Sequence, residues 1–296
     1  MTQSIDNLYV IVLTFNSEKT IKEVILSSKS LTSNIFIVDS YSSDETLQIA
    51  SNLGCQVVQH YFDNYAKQRN WAQEYVKEIT NFNSNSWVLH LDSDEVISTT
   101  LQESVQKALS NSYNLLDIDG FLIQRQSYFL GNPIRFGHTN PSMHLRLFKA
   151  LKGKCENRLY DQHFILQGKT QKLEGFLLDL QLITIEQWTN SHNRWSTAEA
   201  KEILNKENHQ LEEQKETLSA SLFGDLRMQK RWLKNNLYYQ SPILLRAFFF
   251  FIYSYFIRLG FLDGKTGFIY HVLQAFWFRF LTDAKIVEET LKDTYK

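Results

Sequence analysis

Apolar residues in the first hundred positions come in blocks rather than singly. Leu8–Thr14, Ile35–Asp39 and Trp87–Asp92 are continuous apolar runs, and Gln56-Val57-Val58-Gln59 is a shorter one. Unbroken runs of this length, bounded by polar residues, predict buried strands. The intervening segments predict helices. One spans residues 18–30. A second opens at the capping box Ser42-Ser43-Asp44-Glu45, runs to about Leu53 and stops at Gly54. The third, over residues 65–79, carries Ala66, Trp71, Tyr75, Val76 and Ile79 at helical spacing. Repeated strand–helix units with fully apolar strands predict an α/β fold, a mostly parallel sheet covered by helices on both faces. Such sheets bind ligands beyond the carboxyl ends of their strands.

Further on, a helix is expected after Ser98 to about Ser110, and strands over residues 121–126 and 143–148. A second capping box, Ser196-Thr197-Ala198-Glu199, predicts a helix start, the helix extending toward Leu218. From about Leu222 the chain becomes helical and dense in Phe, Tyr, Trp and Leu.

The chemistry gathers at the fourth strand's end, where Asp92-Ser93-Asp94-Glu95 follows the apolar run. Carboxylates beside a core need a neutralising cation. Hard divalent ions take carboxylate oxygens and share them with phosphates. The plainer alternative is that Asp92 or Asp94 caps the following turn. Thr14, Asn16, Asp39 and Ser40 also fall at strand ends, so the same rim would carry them all.

Composition bounds the protein class. The 296 residues, 43% hydrophobic and 21% charged, suit a globular chain with a sizeable core. Two cysteines make no disulfide framework, and the first residues lack a signal-peptide pattern, so a cytoplasmic location is expected. The net charge of −1 conceals an asymmetry: residues 221–296 hold eleven Lys/Arg and six Asp/Glu, net +5 against −6 elsewhere. We therefore divide the chain at residue 220. Residues 1–220 form the sheet domain, in two halves of about 1–110 and 111–220, and residues 221–296 form a basic, aromatic tail.

In that tail Arg227, Lys230, Arg231 and Lys234 recur along one helix face, as for anionic lipid headgroups. The apolar run over residues 247–257 is too short to span a bilayer, which takes roughly 20 residues. Peripheral contact with the inner face of the cell membrane is one expectation, and packing against residues 268–280, or a homo-oligomer interface, the other. No nucleic-acid partner is expected.

Asn16, Asp39, Ala66-Lys67-Gln68-Arg69-Asn70 and Asp92-Ser93-Asp94-Glu95, in this order, resemble the glycosyltransferase family 2 domain of GT-A fold. Tyr128-Phe129-Leu130-Gly131, Leu145-Arg146-Leu147-Phe148, Leu159-Tyr160-Asp161 and His192-Asn193-Arg194-Trp195-Ser196 are similar to the bacterial lipopolysaccharide-core β-glucosyltransferase group. So is Arg258-Leu259-Gly260-Phe261-Leu262-Asp263-Gly264. The resemblance implies inverting transfer of a hexose from a nucleotide-sugar donor, a UDP-sugar and by preference UDP-glucose. It also implies Mg²⁺ or Mn²⁺ and a saccharide or lipid-linked acceptor.

By the same resemblance residues 1–110 are the donor half and 111–220 the acceptor half. It likewise sets Thr14, Asn16 and Asp39 around the base and ribose, and Lys67 and Arg69 toward the nucleotide; a helix cap at Asp39 and a solvated helix face at Lys67 and Arg69 are the plainer alternatives. Asp92 and Ser93 face the donor, Asp94 binds the metal, and Asp179 completes its site. Asp161 is the candidate base, with His163 as the alternative, because the group's usual His-Glu is here Tyr160-Asp161. Arg125, Arg135, His138 and Arg146 are candidates for holding an anionic acceptor, or for ion pairs with the acidic body. Two other readings stay open. A nucleotidyltransferase would share the nucleotide and metal, yet Thr14-Phe15-Asn16-Ser17 has no glycine for a phosphate loop. An inactive domain serving as a membrane-associated scaffold is the second.

Overall fold

The computed structural model describes residues 4–110, 117–158, 160–208 and 217–294. Its strands are β1 (Leu8–Thr14), β2 (Ile35–Asp39), β3 (Gln56–Gln59), β4 (Trp87–Asp92), β5 (Glu95–Ile97), β6 (Ile118–Phe129), β7 (Asn132–Pro133), β8 (Ser142–Lys149), β9 (Gly153–Cys155), β10 (Phe164–Leu166) and β11 (Lys169–Asp179). Its α-helices are α1 (Ile21–Lys29), α2 (Thr46–Asn52), α3 (Tyr65–Thr80), α4 (Thr99–Ser110), α5 (Ile185–Asn208), α6 (Leu226–Leu233), α7 (Leu245–Ile252), α8 (Gly264–His271) and α9 (Phe278–Thr294).

The chain divides into two compact units. The first comprises Met1–Gln126, Met143–Asn157 and Gln162–Leu182; the second comprises Ser127–Ser142, Arg158–Asp161 and Ile183–Lys296. The expected cut at residue 220 falls inside the second unit, because α5 packs along α9.

In the first unit the strands run in the order β3-β2-β1-β4-β8-β6-β11-β5. β1 pairs in parallel with β2 and β4, and β2 with β3, whereas β8 joins β4, and β5 joins β11, antiparallel. The α/β sheet with flanking helices is thus the expected one. β1 shows why its run is unbroken. Val10 and Val12 pack on one side with Ile21 and Val24 of α1 and Val105 of α4. Ile11 packs on the other with Ala66, Ala72 and Val76 of α3. Each such buried side chain contributes about 1.5–3 kcal/mol.

Register then aligns the strand ends: Thr14 lies opposite Asp39, Leu13 opposite Asp92, and Asp39 opposite Gln59. The first capping box is not used as expected. α2 starts at Thr46, whose backbone N–H donates to Asp44 Oδ1 at 3.0 Å, while Ser42 turns to Asp39. Both cysteines are free thiols.

The second unit is mainly helical, with a core of Phe129, Ile134, Trp188 and Tyr270. Its α5 begins at Ile185, eleven residues before the expected box, and Ser196 is interior to it. The Ser196 hydroxyl donates to the Asn193 carbonyl at 2.8 Å, and Lys285 of α9 donates to both residues. His192 stacks on Trp188, so residues 192–196 brace the helices. Residues 209–216 of the expected continuation lie outside the described residues, as does Leu159.

The tail departs from expectation in one respect. Although Lys230, Arg258, Lys265 and Lys292 are exposed, several of its cations are turned inward: Arg227 pairs with Asp225 at 2.7 Å, Lys234 with Glu199 at 2.9 Å, Arg279 with Glu199 at 3.0 Å and Arg246 with Asp283 at 2.5 Å. Arg231 donates to the Leu218 carbonyl. Folding them against carboxylates and carbonyls avoids stranding charge in an aromatic core. The exposed positions also include large apolar residues, among them Leu237, Phe248, Phe249, Phe256 and Ile257. The apolar run also meets its expected intramolecular partners, Phe251 against Phe276 and Tyr255 against Phe268. Among the described residues no single helix is long and apolar enough to cross a membrane. Leu245–Ile257 and Gly260–Lys292, bent by 71°, pass that length and composition test only as a pair.

Candidate active site

The first unit's rim is a network of short polar side chains. Asp39, fully buried at the end of β2, accepts from the Thr14 hydroxyl at 2.9 Å and the Ser42 hydroxyl at 2.5 Å. The Ser42 N–H adds 2.8 Å and the Gln59 amide 3.4 Å. Asp39 therefore organises the loop after β2. Asn16, in the left-handed region at φ 47°, accepts from the Ser43 N–H at 2.9 Å and joins β1's end to the same loop. Ser17 donates to Ser93 at 2.7 Å, tying that loop to the end of β4. Lys67 is exposed on α3 and pairs with Asp63 one turn before it.

The acidic cluster forms a second network. Asp92 Oδ1 accepts from Arg69 at 2.8 Å and Oδ2 from Arg146 at 2.7 Å. Arg146 also reaches Glu95 Oε1 at 2.8 Å, and Glu95 Oε2 accepts the Asp92 N–H at 3.0 Å. Arg125 stands 3.9 Å from Glu95 and 3.7 Å from Asp179, and its Nε makes no hydrogen bond. Asp179 is brought here because β11 pairs with β5, setting it opposite Glu95.

Charge is unevenly matched. Burial alone would raise the Asp92 carboxyl, but Arg146 and Arg69 overrule it and hold it well below the usual carboxylate range. Burial raises Glu95 despite Arg146. Asp94 is pushed well above its usual value by burial and by Asp179, Asp92 and Glu95, with only Arg125 opposing. Among the described residues no hydrogen bond or ion pair holds its side chain. Four carboxylates thus meet three guanidiniums, and the deficit sits on Asp94.

Asp94 and Asp179 fit a divalent cation. Their oxygens are the hard donors that Mg²⁺ and Mn²⁺ prefer, and the uncompensated charge is what a cation relieves. Among the described residues no group of three or more His, Cys, Asp or Glu makes a ready metal cage. A Mg²⁺ type of site needs none, since it takes one or two carboxylates and completes its shell with phosphate and water.

Of the remaining candidates, Arg125 and Arg146 join the carboxylates, Arg146 as a buried counter-ion rather than an outward arm. His163 hydrogen-bonds the buried Glu156 through Nδ1 at 3.2 Å. Arg135, His138 and Asp161 belong to the second unit. The Arg135 and Phe136 N–H groups donate to Asp263, and His138 Nδ1 lies 2.7 Å from the Ser254 hydroxyl. The Arg258–Gly264 motif thereby fastens the loop over residues 135–140, with Arg258 donating to the Asn140 carbonyl at 2.7 Å. Asp161 Oδ2 accepts from Lys234 at 3.3 Å. Sequence reasoning missed Glu95, Ser17, Lys234 and Glu199. A cation inside the apolar strand Leu145-Arg146-Leu147-Phe148 was a signal for the first, since a buried Arg must meet a carboxylate.

Similarity to known proteins runs along most of the chain. The model of the family "Glycosyl transferase family 2" matches residues 9–169, more than half of the chain. An uncharacterized glycosyltransferase of Rickettsia typhi is 25% identical over 292 residues, covering 95% of this chain and 87% of its own. One from Rickettsia bellii is 27% identical over 289 residues, covering 95% and 86%. Among solved structures, glucosyl-3-phosphoglycerate synthase from Mycobacterium tuberculosis matches with a TM-score of 0.30 and 19% identity, over 43% of this chain and 45% of that one.

Proposed function

The chain belongs to glycosyl transferase family 2 and is a glycosyltransferase, and from that premise we propose a metal-dependent inverting enzyme. It moves a hexose, glucose by preference, from a nucleoside diphosphate donor, a UDP-sugar, to a saccharide or lipid-linked acceptor. The observation that supports this most is the uncompensated Asp94 beside Asp179 at the end of β4. A nucleotide diphosphate with its cation answers that charge deficit. Asp94 and Asp179 would hold the Mg²⁺ or Mn²⁺, which when bound neutralises charge on the leaving diphosphate.

The chain's own residues take the other roles. Thr14, Asn16 and Asp39 shape the nucleoside end of the rim, and Lys67 approaches the nucleotide from α3. Arg69 fixes Asp92 toward the donor, with Ser93 beside it. Arg125, with its unsatisfied Nε, is the arm for an anionic acceptor; Arg135 and His138 are proposed as further acceptor contacts, His138 once it leaves Ser254. In the transfer the acceptor oxygen bonds to the anomeric carbon as the bond to the β-phosphate oxygen breaks. The hydroxyl proton passes to Asp161 as general base.

Lipopolysaccharide or other envelope-polysaccharide synthesis at the inner membrane face is the setting we propose, with contact through the exposed apolar face of the tail. Screening nucleotide sugars with Mn²⁺ by thermal shift and by release of nucleoside diphosphate tests the reading. UDP-glucose is expected to stabilise and to turn over. Turnover of no nucleotide sugar, with nucleotide binding unchanged in Asp94→Ala, would favour the scaffold instead.

A further inference from the structure

Asp161 sits in the left-handed region at φ 57°, a conformation that non-glycine residues hold only when their surroundings impose it. Two residues of the tail, outside the matched residues 9–169, hydrogen-bond to it there. Arg231 donates to the Asp161 backbone carbonyl at 3.3 Å, and Lys234 Nζ donates to its carboxylate at 3.3 Å. Lys234 is itself fixed from the far side. It pairs with the buried Glu199 at 2.9 Å and lies 5.4 and 5.5 Å from the Tyr160 and Tyr239 ring centres. Glu199 is held in turn by Arg279 at 3.0 Å and by the Tyr239 hydroxyl at 3.0 Å.

We propose that Lys234 is the positioning residue for Asp161, keeping its carboxylate ionised and aimed through an ion pair that Glu199 anchors from behind. The proposal rests on the reading of Asp161 as the base. Around Asp161 stand Arg231 on α6, Lys234 directly after it, Glu199 on α5, Arg279 on α9, and Tyr160 beside it. Arg158 is already paired with Glu202. Lys234, Arg231 and Arg279 already outnumber Glu199 and the exposed Asp161 by one charge, so protonating Asp161 leaves two excess positive charges beside the buried Glu199. When Asp161 takes the acceptor's proton in the transfer step, Lys234 keeps Glu199 as its partner and stays in place. The proton then leaves to solvent and the ion pair re-forms. Residues 221–296 are on this account part of the catalytic machinery, whatever else they touch.

The test is the ionisation of Asp161 in the full chain. Deuterated protein carrying [γ-¹³C]aspartate has one carboxyl resonance that vanishes in Asp161→Asn. In Lys234→Met that resonance is expected to titrate about one pH unit or more higher than in the wild type, since a cation at this distance is lost. In Lys234→Arg it stays within about 0.3 of a unit. Lys234→Gln serves as a second neutral variant, and melting curves confirm that each is folded. In parallel, UDP release from UDP-glucose with Mn²⁺ is followed against pH. Its acid limb moves upward with the resonance in the neutral variants and is restored by Arg. An unmoved midpoint in both neutral variants, with Asp161→Asn inactive, overturns the role of Lys234 while leaving the base in place. Full UDP release by Asp161→Asn removes the base, and the proposal falls with it.

Discussion

Replacing Arg146 by methionine removes the guanidinium that donates to Asp92 at 2.7 Å and to Glu95 at 2.8 Å, both beside the core. Asp92 keeps Arg69 at 2.8 Å, whereas Glu95 is left with Arg125 at 3.9 Å, so the damage falls on Glu95. Removing one member of a buried ion pair costs about 3–5 kcal/mol. With Asp92 still held, a loss of about 3 kcal/mol is expected near neutral pH. The loss should depend on pH. The Glu95 carboxyl is already raised by burial, and losing Arg146 raises it further. A carboxyl raised in the folded state favours folding below its unfolded value and opposes it as pH rises through the folded one. The deficit therefore shrinks on acidification toward 4.5, the ordinary value for Glu95. Urea unfolding of wild type and variant at two pH values measures this. Adding Glu95→Gln to Arg146→Met removes the stranded charge and should recover at least about half of the loss. A deficit under about 1 kcal/mol, or one that acid leaves unchanged, would refute the reasoning.

Three further outcomes are expected. Asp94→Asn should stabilise the metal-free protein at neutral pH, because the Asp94 carboxyl is raised well above its usual value. That advantage should fade toward the unfolded value of 3.8, which differential scanning calorimetry in EDTA can follow. Lys67→Ala should change stability by less than about 0.5 kcal/mol, since its pair with Asp63 is exposed, and any loss of nucleotide affinity then reports direct contact. Because Arg227, Lys234, Arg246 and Arg279 are paired with carboxylates of the fold, flotation with liposomes should be nearly as strong on neutral as on anionic vesicles. It should weaken when Phe249 and Phe256 become serine; a steep loss of binding on neutral vesicles would return the contact to electrostatics.

The sheet was legible because its strands β1, β2 and β4 are buried on both faces and so read as unbroken apolar runs. β11 was not, since half of its residues face solvent and its polar positions mask any period. The acidic strand end was found directly, whereas the role of Glu95 was hidden because its partner lies 51 residues away. Helical spacing placed the tail's cations on one face. It could not say whether that face meets solvent or Asp225 and Glu199, the second of which is matched only in three dimensions. The Ser196 box shows the limit of local signals: side-chain caps compete with a helix already begun at Ile185.

The central claim is that Asp94 at the end of β4 binds the cation that holds a nucleoside diphosphate. Calorimetric titration of UDP with and without Mn²⁺, on wild type and Asp94→Asn, tests it most directly. The account expects Mn²⁺ to tighten UDP binding to the wild type by about tenfold or more, a gain of about 1.4 kcal/mol or more, and to leave Asp94→Asn nearly unaffected. Equal tightening by Mn²⁺ in both proteins would contradict it.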